Sequence, residues 1–173
     1  MNRYCSVVLL LAALISGCAS SKMSVTMNPK ASILTISSLA ISPGSGVLGD
    51  ALAVELFNTG ITVVDANEAI TIIGRVGLRE FEMTSAQGYA ALSDSGIEAV
   101  LSVKSVDADD GTPESASIRI TSTSSGEIIA GITWQNGWGG QRGSVADRAM
   151  RKNLSEAAQE IAREITKRIR GAR

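Results

Sequence analysis

A chain of 173 residues with 45% hydrophobic content supports one folded domain around one core. Its 16 basic and 17 acidic residues nearly cancel, and with only 3% aromatics the core must come from Ala, Val, Leu and Ile. Histidine is absent, which removes the usual general base and the commonest transition-metal ligand together.

The N-terminus reads as a secretory signal. Arg3 supplies a short positive region, residues 7–15 are apolar, and small residues close the segment. At nine residues the apolar core is too short for a membrane span of about 20. The closing string, Ile15-Ser16-Gly17-Cys18, resembles the lipobox of bacterial lipoproteins. That resemblance implies cleavage after Gly17 and acylation of Cys18 by chains such as palmitate. Ala19 at the next position, rather than Asp, implies sorting to the outer membrane. The other reading is an ordinary signal peptide with an incidental cysteine. Cys5 and Cys18 are the two cysteines, so the mature chain keeps one, which the lipid consumes, and no disulfide framework is expected.

Residues 18–31 follow as a lipid-anchored tether: 19–31 (ASSKMSVTMNPKA) are small and polar, are read as flexible, and reach about 45 Å when extended. The domain is placed at 32–173. A strand is expected at 33–41 and a helix at 47–58, with Gly60 past its end. A short buried strand follows at 61–64. Asp65 and Glu68 have the spacing of a helix start, and the helix they open ends near Gly74.

Residues 75–83 read as loop or a poor strand, 85–95 as a helix stopped by Gly96, and 97–106 as a strand. DADDGTP (107–113) is turn chemistry. Strands at 117–123 and 128–134 form a hairpin about Ser125-Gly126. One long C-terminal helix is expected after a glycine-rich loop, capped by Ser144 with Asp147. In it Met150, Leu154, Ile161, Ile165 and Ile169 recur at helical steps. The expected fold is α/β (α+β): a single domain with a mixed sheet of about five strands, in the order β-α-β-α-α-β-β-β-α.

Gly44, Gly46 and Gly49 spell G-x-G-x-x-G between a strand and a helix, with Asp65 beyond a second strand. A dinucleotide site would use that loop to seat a pyrophosphate on free N–H groups. Pro43 stiffens the corner, Asp50 would set a carboxylate beside the phosphates, and Asp65 is taken as a cap. The loop is therefore read as a turn, and no cofactor is expected.

Gly49-Asp50-Ala51-Leu52-Ala53, Gly60 to Asp65, Gly96 to Ser102, Ile118-Arg119-Ile120 and Ser125 to Ala130 together resemble the periplasmic domains of CsgG-like outer-membrane lipoproteins. That group includes the curli secretion protein, the penicillin-binding-protein activator LpoB and the N-terminal domain of TolB. The resemblance covers about residues 32–135. It implies a binding or assembly protein rather than an enzyme, with an envelope protein as partner. The tether is shorter than LpoB-type activators carry, and no segment supplies the membrane hairpins of CsgG-type pores.

Other candidates are weighed on their residues. Asp107, Asp109 and Asp110 fall one residue short of a calcium loop, so a solvated turn is preferred and no metal is expected. Trp134, Trp138 and Arg142 on the glycine-rich stretch form a candidate partner surface, against the alternative that both rings cover the end of the core. Residues 142–173 hold nine Lys or Arg against four Asp or Glu, read as a solvated cationic helix face, with anionic headgroups or wall polymers as the alternative. A Ser–Lys pair would rest on Lys104, whose strand context (SVKSV) gives no sign of activation.

The reading that follows is a non-catalytic factor for envelope biogenesis or secretion, lipid-anchored on the periplasmic face of the outer membrane. Its partners are that membrane and an envelope protein, with no nucleic acid, and self-association is left open. The alternatives are an oligomeric CsgG-type export component and a nucleotide-binding enzyme using the glycine loop.

Overall fold

A computed structural model describes residues 20–29, 35–137, 141 and 143–170. Its strands are β1 (Ser21–Met27), β2 (Ser38–Ile41), β3 (Thr62–Val64), β4 (Ala99–Asp107), β5 (Pro113–Ser122) and β6 (Ile128–Asn136). Its helices are α1 (Gly46–Asn58), α2 (Ala66–Gly74), α3 (Ala86–Asp94), α4 (Val145–Met150) and α5 (Leu154–Ile169), with a short 3-10 turn at Glu80–Glu82. The strands form one sheet in the order β1-β6-β5-β4-β2-β3. β2 runs parallel to β3 and β4, and the remaining pairs are antiparallel. The mixed α/β architecture expected from the sequence is what forms: two crossovers, then a meander.

Within the segment expected to be a flexible tether, Ser21–Met27 form an edge strand instead. SKMSVTM alternates: Met23, Val25 and Met27 are half-buried on the core side, while Lys22, Ser24 and Thr26 are exposed. That period of two suits a half-covered strand, and β1 pairs along its full length with β6, from Ser21↔Asn136 to Met27↔Ala130. The sheet therefore has six strands among the described residues, not about five.

The C-terminal helix also differs from expectation, since it is two helices. Arg151 turns extended (φ −85°, ψ 140°), and Asn153 restarts the chain with a reciprocal cap, its side chain accepting from Glu156 N while Glu156 accepts from Asn153 N. The amide of Asn136 fills the gap. It accepts from Lys152 N at 2.8 Å and donates to Lys152 O at 2.8 Å and Pro113 O at 2.7 Å. Residues 75–83 are a loop around the 3-10 turn.

Helices cover the two faces of the sheet unequally. On one face, Leu48, Leu52 and Leu56 of α1 and Ile161, Ile165 and Ile169 of α5 are all but fully buried. They pack on Leu39, Leu101, Ile118, Ile120 and Ile132 of the sheet. Burying each such side chain contributes about 1.5–3 kcal/mol. On the other face, Ile72, Ile73 and Leu92 of α2 and α3 cover Ala40 and Val100. That second layer stops there. The outward side chains of β1, β6, β5 and the distal half of β4 have no described helix above them.

Candidate functional site

The glycine loop is a tight strand-to-helix corner. Gly44 and Gly46 hold left-handed backbone (φ 75° and 64°), which glycine alone adopts freely. Gly49 packs so close to Ser45 that an added Cβ would collide with the Ser45 side chain. Ser45 is buried and ties the corner to the sheet: its hydroxyl donates to Ser42 O at 2.6 Å and accepts from Val103 N at 3.3 Å. Each glycine has a structural use here. Asp65 likewise caps α2, accepting from Glu68 N at 2.9 Å.

The acidic turn is held by its own side chains. Asp110 accepts from Thr112 N at 3.0 Å, and that backbone donor is the largest reason its carboxyl sits below the usual carboxylate value. Asp107 accepts from Ser105 at 3.3 Å.

Trp134 is not a surface residue, and that part of the expected partner surface is corrected. Its position on β6 lies opposite Met23 and Ala116, on the core-facing side, and only 1% of it is exposed. Its indole N–H donates to Glu160 at 2.7 Å, giving the one polar atom of the ring a partner. Trp138, Arg142 and Cys18 lie outside the described residues.

Glu160 of α5 joins three other segments, and nothing local in the sequence marks it. Ser21 Oγ lies 2.7 and 2.6 Å from its two oxygens, and Lys152 Nζ lies 2.9 Å away. Burial is the largest single influence and pushes its pKa up. The donors Ser21, Trp134 and Lys152 together outweigh it, so the carboxyl settles below its ordinary value. The cluster fastens the first residue of β1 to β6, to the α4–α5 link and to α5.

The basic C-terminal stretch is partly neutralised. Arg151 pairs with Asp147 and Glu114, and Arg168 with Glu164 at 2.7 Å. Lys167, Arg168 and Arg170 gather at the end of α5, where the helix dipole favours cations.

The uncovered half of the sheet gathers a different set. Register places Lys104 opposite Ser117, Ser117 opposite Thr133, and Thr133 opposite Ser24, a row running from β4 to β1. The adjoining rows bring Lys22 beside Gln135 and Arg119 beside Gly131. A shallow depression of about 550 Å3 lies over the first two rows. Sequence reading saw the alternation around Arg119, but took the outward residues one strand at a time. Only the register assembles them.

No known protein family and no curated protein matches the sequence. Solved structures do. A PelC dodecamer structure from Paraburkholderia phytofirmans is similar over 89% of this chain and all of that one, at 16% identity and a TM-score of 0.50. A single-residue variant of the same protein matches at 16% identity over 88% of this chain and all of that one, with a TM-score of 0.48. Lipoprotein GNA1162 from Neisseria meningitidis matches at 15% identity over 76% of this chain and 97% of that one, with a TM-score of 0.47. At such identity the PelC likeness is one of fold.

Proposed function

We propose that this chain is a lipid-anchored, non-catalytic binding or assembly factor on the periplasmic face of the outer membrane, serving envelope biogenesis or secretion. The observation that carries the reading is Ile15-Ser16-Gly17-Cys18, an export and acylation string standing directly ahead of a folded domain. Several acyl chains at about 0.8 kcal/mol per buried methylene hold such a domain on a bilayer. A chain without histidine, whose loop glycines and turn carboxylates have structural work, supports binding over catalysis.

Mass spectrometry of the native N-terminus tests the anchor. Acylated Cys18 is expected, and an unprocessed, unlipidated chain would remove the export argument. Crosslinking from Arg142 in intact cells tests the partner surface.

A second reading, an oligomeric export component of the CsgG kind, is favoured by one surface. Val47, Val54 and Phe57 are 66%, 59% and 68% exposed along one side of α1, an apolar stripe that a neighbouring subunit would cover. The PelC structure is itself a dodecamer. Light scattering of the purified protein separates the readings: a single subunit mass excludes the ring.

A further inference from the structure

We propose that the uncovered face of β1, β6, β5 and β4 binds an anionic polysaccharide. The inference deepens the binding role above and rests on it only in treating the chain as a binder.

Charge is the first argument. Lys22, Lys104 and Arg119 point outward from this face, and the one carboxylate that register sets on the same side is Asp107, opposite Pro113 at the very end of β4 beyond a register shift. All three are exposed, and none makes an ion pair among the described residues. In a chain with one more acid than base, a face with three unpaired cations against a single carboxylate at its edge is complementary to an anion.

The spacing of those cations identifies the kind of anion. Strands lie about 4.8 Å apart and alternate residues about 6.8 Å apart along each strand. Lys104 and Arg119 are thus roughly 8 Å apart, and Lys22 is about 16 Å from either. A small anion would need them converged on one point. A polymer with a charge on successive units meets them in turn.

Between the cations stand Ser24, Ser117, Thr133 and Gln135, whose hydroxyl and amide groups both donate and accept. Sugar hydroxyls require both. The depression of about 550 Å3 falls within the usual range of ligand sites.

Gly131 is the independent observation. It sits mid-strand between Thr26 and Arg119, where glycine is less favourable than alanine. Its backbone is not left-handed, and an added Cβ would meet nothing within 4 Å. Neither conformation nor crowding asks for glycine there. What it does is leave bare backbone in the middle of the face, where another flat group can approach closely.

Other occupants fit less well. A bilayer surface would be met by only three cations, and Val106 and Ile128, at opposite ends of the face, are the large exposed apolar side chains available to insert. A second copy docked through the same face would set like charges against each other.

Affinity electrophoresis of the full-length chain in detergent tests the proposal, with polygalacturonate and dextran sulfate as probes and unmodified dextran as the neutral control. Retardation is expected with the two polyanions, weakening as salt rises. The triple change Lys22→Ser, Lys104→Ser, Arg119→Ser should weaken retardation at least tenfold. Gly131→Val should weaken it several-fold while the melting temperature stays level or rises, so lost folding cannot explain the loss. Three outcomes would overturn the proposal: no retardation by either polyanion, variants that run like the parent chain, or equal binding to phosphatidylglycerol vesicles that the same substitutions abolish. If the face fails while Cys18 proves acylated, the envelope reading stands without it.

Discussion

β5 presents two surfaces that differ by one step along the chain. Ile118 and Ile120 point toward α1 and α5 and are fully buried, while Ser117 and Arg119 point the other way and are exposed. The same alternation runs through β6 and β1, so one face of this half-sheet is a core and the other is open. Strand periodicity alone sorts the residues. What it does not decide is whether the polar side is merely wet or has a ligand, and here Gly131 and the unpaired cations separate those cases.

The contrast can be broken from either side. The largest effect is expected from Ile118→Ala, which empties a fully buried site and should cost about 2–5 kcal/mol in denaturant unfolding. Next is removal of residues 21–27. A flexible tether could be cut without loss, whereas losing the half-buried Met23, Val25 and Met27 should cost roughly 3 kcal/mol.

Glu160→Gln is a smaller change, about 1–2 kcal/mol at neutral pH, because three donors lose a charged acceptor. The folded carboxyl titrates below its ordinary value of 4.5, so its contribution is complete above that pH. It is lost as pH falls through the lower folded value. The variant should therefore show a shallower loss of stability than the parent below 4.5, read from melting temperatures in acid. Smallest is Arg119→Ser on the open face, expected within about 0.5 kcal/mol of the parent. A larger loss there would mean that the open face carries stability after all.

Features set by residues three apart were legible in the sequence. Asp65 caps Glu68 and Ser144 caps Asp147 because the bond is local. The order of crossovers and meander also followed from turns and periodicity. β1 was missed because small polar residues dominate its composition and the partner that orders it is β6, more than 100 residues downstream. The break before α5 was missed for a similar reason. Apolar positions at helical steps continue across it, and Asn136, which satisfies the broken turn, belongs to another element. Trp134, the last residue of the expected strand, was in phase with Ile132 all along, and following the alternation to the strand's end would have placed it inside.

The pairing of β1 with β6 has a consequence for the order of assembly. Ser21 emerges early in synthesis, yet its ladder partner Asn136 and its clamp, Glu160, come near the end. Closing so long a loop is slow relative to local helix and hairpin formation. The first strand in the chain is therefore among the last to be paired, and the outer edge of β6 stays open until the final helix has formed.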